Sequence, residues 1–151
     1  MQKITPFLWF DGQAEEAMRF YVSVFQNSKI LSVTPGPGGK AMSVTCQIDG
    51  QQFYALNGGP MYTFTPAISF FVSCETQEEI DDLWGKLVDG GKEQQCGWLT
   101  DRFGLSWQII PSTLGKMLGD EDSAKAGRVM TAMLQMVRMD VKRLQQAYDG
   151  A

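Results

Sequence analysis

None of the 151 residues of this chain is a histidine, so no imidazole is among the side chains that could carry out chemistry. Ser-His-Asp triads, Cys-His pairs and metal sites that depend on imidazole are therefore excluded. Asp, Glu, Cys, Tyr, Lys and Gln remain for acid–base or ligand work. Cys46, Cys74 and Cys96 are odd in number and far apart, which indicates free thiols in a reducing cytoplasm rather than a disulfide framework.

Two short segments have residue types that suit an anionic ligand. Residues 35–40 (Pro-Gly-Pro-Gly-Gly-Lys) look like a phosphate loop, but no Ser or Thr follows Gly-Lys and the segment lies between strands, so it predicts a flexible loop. Asp101 and Arg102 could recognise an anion, although a turn between strands is more typical of solvated charges. The Cys96 thiol has no His or Lys beside it and is predicted to be inert.

The elements that must position these residues occur twice along the chain. Each half has the pattern of a strand, a helix and three strands. The first half has a strand at residues 4–10, a helix at 13–26 and strands near 29–34, 41–48 and 52–57. The second has a strand at 65–72, a helix starting after Thr76 and ending at Gly90, and strands near 92–95, 97–100 and 105–110. We therefore predict an α+β fold whose two modules, about 1–60 and 61–111, pair their sheets into one cupped surface.

Local signals support these boundaries. Asp49-Gly50 predicts a short hairpin loop, and Thr76 with Glu79 predicts a capping box at the start of the second helix. Residues 96–111 predict two strands joined by a short turn. Trp98 and Trp107 in this hairpin could stack on a ligand ring, although the alternation of the strand places Trp107 in the core.

Residues 112–151 predict a helical extension of one domain that spans 1–151. A short helix capped by Ser112 should end at Gly119, and a longer helix should run from about Ser123 to Tyr148. The apolar residues of the long helix form a narrow stripe, which consists of Met130, Met133, Val137, Val141, Leu144 and Tyr148. Met136 and Met139 lie beside this stripe. This helix either packs on its own domain or forms a dimer contact, since Met-rich faces suit adaptable interfaces.

Several of these segments resemble the PhnB-like proteins of the glyoxalase/bleomycin-resistance (vicinal oxygen chelate) superfamily. The most specific is the run 96–111, with Gly97-Trp98 followed by Ser106-Trp107-Gln108; residues 4–12, 16–21 and 128–133 add to it. The resemblance implies two βαβββ modules in a half-open barrel, usually in a homodimer. Members are often labelled 3-demethylubiquinone-9 3-methyltransferase-like. Because no G-x-G-x-x-G follows a strand, the sequence predicts no S-adenosylmethionine site of the doubly wound kind.

The resemblance also implies where a metal would lie. Metal-dependent members of the superfamily place four side chains, mostly His, Glu and Gln, on the concave sheet face. The matching positions here are Thr5, Ala55 (with its register uncertain by one), Ala67 and Gln108. Two of these are alanines, which cannot bind an ion, and so neither a metal nor another cofactor is predicted.

If Thr5 faces the cup, strand alternation predicts which neighbours line it. Phe7 and Trp9 should face inwards while Leu8 and Phe10 face the helices. The predicted substrate-binding residues are Thr5, Phe7, Trp9, Asn57, Ser69, Phe71 and Gln108. These side chains suit a small-molecule pocket with aromatic walls, unless they merely fill the cup as core.

Composition limits the partners. The net charge is −4 and no stripe of Lys and Arg exists, so neither nucleic acid nor an anionic membrane surface is expected as a partner. The sequence contains no run of about 18 apolar residues, so no membrane span is predicted. The N-terminus does not look like a signal peptide, which favours a cytoplasmic location.

These observations favour a metal-free, glyoxalase-like protein that binds a small apolar or aromatic molecule. The alternative is an enzyme with a non-standard site that uses Tyr54, Gln108 or an added cofactor. A third hypothesis is an interaction module based on the C-terminal helix. Truncation after Pro111 should then abolish partner binding and leave the ligand affinity unchanged.

Overall fold

Buried and more exposed residues alternate along most strands of the first half, so that one sheet face is buried and the other is not. The computed structural model describes residues 2–151, and this half lies in a unit that spans Met1–Phe64. Its elements are β1 (Phe7–Phe10), α1 (Ala14–Val24), β2 (Lys29–Pro35), β3 (Ala41–Ile48) and β4 (Gln51–Asn57). The strand order is β1-β4-β3-β2, with β1 parallel to β4 and the other pairs antiparallel.

Helix α1 covers the buried face of this sheet and contacts β3 and β4. Its buried residues are those expected from their spacing: Ala14, Ala17, Met18, Tyr21 and Val24. Asp49 and Gly50 have φ values of 49° and 81°, as the predicted hairpin loop requires. Strand β1 is shorter than predicted, because Pro6 has no N–H for the ladder and contributes only its carbonyl, which accepts from the Tyr54 amide at 2.9 Å.

The second unit, Thr65–Ala151, repeats the pattern. Its elements are β5 (Ser69–Cys74), α2 (Gln77–Val88), β6 (Lys92–Glu93), β7 (Trp98–Thr100) and β8 (Ser106–Pro111). The order β5-β8-β7-β6, with β5 parallel to β8, matches that of the first sheet, which confirms the predicted repeat. The Thr76 hydroxyl accepts the Glu79 amide at 3.1 Å, as the capping signal predicted.

Three helices follow β8: α3 (Leu114–Leu118), α4 (Ser123–Leu134) and α5 (Val141–Asp149). The prediction of one helix from Ser123 to Tyr148 was therefore wrong. The chain leaves the helix at Gln135 because the Met136 and Val137 carbonyls accept the Cys96 and Gly97 amides, both at 2.8 Å. Asp140 then caps α5 by accepting the Arg143 amide at 3.0 Å.

The break also changes which residues of the extension are buried. From Ser123 onwards the buried residues are Val129, Met136, Met139 and Leu144, whereas Met130 of the predicted stripe is exposed. Ser112 does not cap α3; its hydroxyl donates to a Glu75 carboxylate oxygen at 3.2 Å. The predicted α+β class is confirmed, with two four-stranded mixed sheets that are not closed. That 1–151 is one domain stays a prediction.

Candidate functional site

In the first unit, the sheet face opposite α1 carries aromatic side chains. Phe7 is 59% exposed, whereas its neighbours Leu8 and Phe10 are buried, as predicted from strand alternation. Phe7 pairs with Tyr54 across the parallel strands, and the centroids of their rings are 6.1 Å apart. Phe7 and Tyr54 therefore form an open apolar surface on this face.

Trp9 lies on the same face but is half-buried by residues that follow β4. Its indole N–H donates to the Gly59 carbonyl at 2.9 Å, and the Tyr62 ring meets it edge-on with centroids 4.9 Å apart. A Cβ atom on Gly58 would lie 2.3 Å from the indole, so the close approach of this loop requires glycine. Trp9 is thus a fixed wall rather than a free side chain.

Two predicted site residues of module one, Asn57 and Thr5, are not placed on this face by the strands. Asn57 lies beside Phe10, and its side chain accepts the Ala14 amide and donates to the Ala41 carbonyl, both at 2.8 Å. Its placement with Phe7 and Trp9 in the predicted set was wrong, because its amide holds the start of α1 in place. Thr5 is half-buried and precedes β1, so the observed strand is shorter than the one in which alternation was counted and does not fix the face of Thr5.

In the second unit, the face opposite α2 brings together Ser69, Phe71 and Gln108. The Gln108 amide donates to the Ser69 hydroxyl at 2.9 Å, and Phe71, paired with Gln108, is 61% exposed. Trp98 pairs with Gln108 on its other side and is half-buried. One row across three strands therefore consists of an aromatic ring, an amide and an indole.

Trp107, by contrast, is buried on the helix-covered face, as its alternation predicted. Its indole N–H donates to the Asp101 carboxylate at 2.9 Å. That carboxylate is buried and also accepts the Phe103 and Leu105 amides at 2.8 Å and 3.1 Å. The prediction of a solvated Asp101 was wrong, because the turn folds its amides around the carboxylate.

A cavity of about 280 Å³ adjoins the row in the second unit. It is lined by Pro66, Gln94, Gln95, Trp98, Thr100 and Ser106. The sequence analysis did not select Thr100 and Ser106, although Ser106 shares the alternation of Gln108. Two larger grooves involve the helical extension, one of about 730 Å³ between the start of α5 and α2 and one of about 540 Å³ between α4 and α5. Their walls hold no aromatic side chain.

The thiols are free, as predicted. Cys46 and Cys74 are buried, and this burial raises the pKa of Cys46 to about 11. Burial, with a hydrogen bond from Cys74 to Glu79 as a second cause, raises the pKa of Cys74 to about 12. Neither thiol is suited to nucleophilic work near neutral pH.

The sequence model of the 3-demethylubiquinone-9 3-methyltransferase family matches residues 2–110. The chain belongs to this family. A PhnB protein from Bacillus cereus with the same methyltransferase description is 39% identical, with a TM-score of 0.68. The match covers 72% of this chain and 99% of that one, so the extension beyond β8 has no counterpart of similar length in it.

More distant structures share the fold of this family. PA1353 from Pseudomonas aeruginosa is 22% identical over 73% of this chain and 96% of its own, with a TM-score of 0.60. The fosfomycin resistance protein FosX from Listeria monocytogenes, in complex with Mn(II) and sulfate, is 13% identical over 70% and 86%, with a TM-score of 0.51. The glyoxalase/bleomycin-resistance type of fold is thereby confirmed. No curated protein matches this chain.

The residues of this family member do not fit a metal at the four matched positions. Ala55 is fully buried on the face that α1 covers, and the Gln108 amide is bonded to Ser69. Ala67 has no donor atom, which leaves Thr5 as a single hydroxyl. Within residues 2–151, no three His, Cys, Asp or Glu side chains are close enough to hold an ion.

Two further observations concern the helices as possible membrane spans and the Asp101-Arg102 pair as a possible anion site. None of the helices formed by residues 2–151 combines the length and the apolar character needed to cross a bilayer. Arg102 is on the surface, where its guanidinium donates to the Asp89 carbonyl at 3.2 Å and lies 3.4 Å from the Asp89 carboxylate. The Asp101-Arg102 pair therefore serves the turn and the end of α2.

Proposed function

We propose that this PhnB-like chain binds a small apolar or aromatic molecule on the sheet faces that its helices leave uncovered, without a metal. The observation that carries the proposal is the exposure of Phe7 and Phe71, 59% and 61%, on the faces opposite those that bury Leu8, Phe10 and Trp107. Large apolar side chains grouped on one surface are typical of a binding site.

The few polar groups beside these rings would set the orientation of the ligand. In the first unit the ring of Tyr54, which carries a hydroxyl, pairs with that of Phe7, and in the second the Gln108–Ser69 pair lies beside Phe71. A site with apolar walls and a small number of fixed polar groups suits a ring-containing molecule. The residues at the matched metal positions support binding without an ion.

Catalysis on the bound molecule is the second candidate function. It is favoured by one observation: the Gln108 amide is held in place by Ser69 on the same face as Phe71. The methyltransferase description of the family supplies a reaction name, but the glycine-rich segment 35–40 lies between the antiparallel strands β2 and β3 rather than before a helix. If the chain is an enzyme, Gln108→Ala should lower turnover far more than it lowers ligand affinity.

Titration calorimetry with a panel of small aromatic and alicyclic compounds tests the binding proposal. Phe7→Ser and Phe71→Ser should each raise Kd at least about tenfold for compounds that bind at that face. Ile4→Ser is the matched control, since Ile4 is more exposed than either phenylalanine but precedes β1. Equal affinities for the three variants and the unaltered chain would overturn the proposal.

The homodimer and the cytoplasmic location remain proposals. Met130 and Leu134 are exposed apolar residues of α4 and are the natural candidates for a contact between copies. Light scattering at several concentrations tests this directly. Met130→Lys with Leu134→Lys should convert a dimer to a monomer if α4 forms the contact, and should leave the mass unchanged if it does not.

A further inference from the structure

We infer that the cavity beside Trp98 recognises the polar end of the ligand, and that the ligand is a neutral aromatic ring with a hydrogen-bonding substituent such as a hydroxyl. This inference rests on the proposed function, because it assigns the substrate class to the second unit's uncovered face. The cavity of about 280 Å³ is near the lower limit of small-molecule sites and suits a small fused-ring compound.

The first step concerns Ser106. Ser106 is only 2% exposed, yet it lines the cavity. Within residues 2–151 its hydroxyl forms no hydrogen bond, and no fully buried side-chain oxygen there lacks a partner, so the Ser106 hydroxyl is accessible from the cavity. The Ser106 hydroxyl therefore has a free donor and free acceptor capacity at the cavity surface, where it can bond a ligand atom.

The second step concerns the walls. Trp98 supplies an indole face, while Thr100, directly paired with Ser106, supplies a second hydroxyl close to the first. Gln94 and Gln95 are exposed amides at the rim. None of the six lining residues is charged, and a cavity without a cation gives an anion nothing to offset its desolvation.

The third step concerns rigidity. Trp98 is bonded on both sides of its peptide: its amide donates to the Gln95 carbonyl at 3.1 Å, and its carbonyl accepts the Gln94 amide at 2.9 Å. The two preceding amides, of Cys96 and Gly97, are bonded to the segment between α4 and α5. A main chain held in this way fixes the position from which the Trp98 indole extends, so the cavity wall needs little backbone ordering when a ring binds against it.

Naphthalene and two of its derivatives, 2-naphthol and 2-naphthoate, test the inference. Their binding to the full chain is followed by calorimetry and by the indole N–H resonance of Trp98, which is assigned with Trp98→Phe. 2-Naphthol should bind at least about tenfold tighter than naphthalene and than 2-naphthoate, because only it matches a neutral site with hydroxyl partners. The Trp98 resonance should shift on binding.

Ser106→Ala should remove the preference for 2-naphthol and leave naphthalene unchanged, and Thr100→Val should reduce it. Ser73→Ala, on the same strand as Phe71 but outside the cavity, is the control and should change nothing. If naphthalene and 2-naphthol bind equally, and Phe71→Ser weakens both while Ser106→Ala weakens neither, the inference is overturned and the proposed function stands. If no aromatic compound of either panel binds, both are overturned.

Discussion

The Asp101 carboxylate joins the turn between β7 and β8 to the buried indole of Trp107. One oxygen accepts the Phe103 and Leu105 amides, and the other accepts the Trp107 N–H. Hydrogen bonds to a charged group contribute more than neutral ones, and they are strongest when water is excluded. The turn and the strand after it thus depend on one side chain.

Asp101→Asn should lower the free energy of unfolding by about 2 kcal/mol. If the Asn carbonyl oxygen keeps the bonds from the Phe103 and Leu105 amides, its NH₂ group faces the Trp107 N–H, so two donors meet and that hydrogen bond is lost. Urea unfolding measures the loss. In a Trp107→Phe background, the same change should cost clearly less, which gives a coupling energy for the pair. Asp89→Asn is the control for removing an exposed charge and should cost less than about 0.5 kcal/mol. Equal costs in both backgrounds would contradict this role of Asp101.

The thiols give a prediction about pH. Because burial raises the pKa of Cys46 to about 11 and that of Cys74 to about 12, both stay protonated well above neutral pH, and only roughly one in a thousand Cys46 thiols is ionised at pH 8. Cys96 is half-buried and should be the thiol that reacts first with a disulfide reagent. In the folded chain, labelling at pH 8 should modify Cys96 and spare the others until urea is added. The Cys46→Ser variant retains Cys74 as its buried thiol, and the Cys74→Ser variant retains Cys46. Rapid labelling of the buried thiol in either folded variant would contradict the expectation.

At the scale of elements, the strands and the first two helices could be predicted because their signals are local. Alternation in β1 separates Phe7 from Leu8, and the Thr76 hydroxyl caps α2 three residues away. The break between α4 and α5 could not be predicted in this way. Its cause is hydrogen bonding to Cys96 and Gly97, about 40 residues earlier in the sequence, and such partners are invisible to a helical pattern.

Met139 shows why this segment leaves the helix. It is fully buried, and its carbonyl accepts the Gln77 side-chain amide at 3.0 Å, while the Gln77 carbonyl oxygen accepts the Val141 amide at 2.8 Å. A Cβ atom on Gly97, whose φ is 82°, would lie 3.2 Å from the Met139 side chain. The first turn of α2, the turn before β7 and the extension therefore meet at Met139.

Met139→Ala should cost about 2–5 kcal/mol of unfolding free energy, because it removes a buried side chain and leaves a cavity. Met130→Ala removes the same atoms from an exposed position of α4 and should change the stability by no more than about 0.5 kcal/mol. Thermal and urea unfolding of the two variants measure the difference. Similar costs for both would show that the extension is not packed at Met139 as described.

At the scale of the whole chain, the sequence analysis found the aromatic residues of the candidate site but not its hydrogen-bonding detail. Phe7 and Phe71 follow from alternation, which is a property of a strand alone. That Asn57 caps α1 and that Ser106 lines a cavity depend on how the elements pack. Tertiary contacts of this kind decide whether a polar side chain is structural or open to a ligand, and a single sequence does not contain them.

The extension lies beyond the part of the chain that the family model matches, which ends at residue 110. Two truncations separate the effect of the segment 135–140 from that of α5. A chain that ends at Leu134 loses the carbonyls that hold the Cys96 and Gly97 amides, together with buried Met136 and Met139. A chain that ends at Asp140 retains both. The shorter chain should melt at least about 10 °C below the longer one, and its Trp98 indole resonance should broaden.

Ligand affinity decides between this role and an interaction module. If the segment 135–140 holds Trp98 in place, 2-naphthol should bind the chain that ends at Asp140 about as tightly as the full chain, and the chain that ends at Leu134 at least about tenfold more weakly, because an unrestrained indole must be ordered on binding. Unchanged affinity in both truncations would instead favour an extension that serves a partner and has no part in the site.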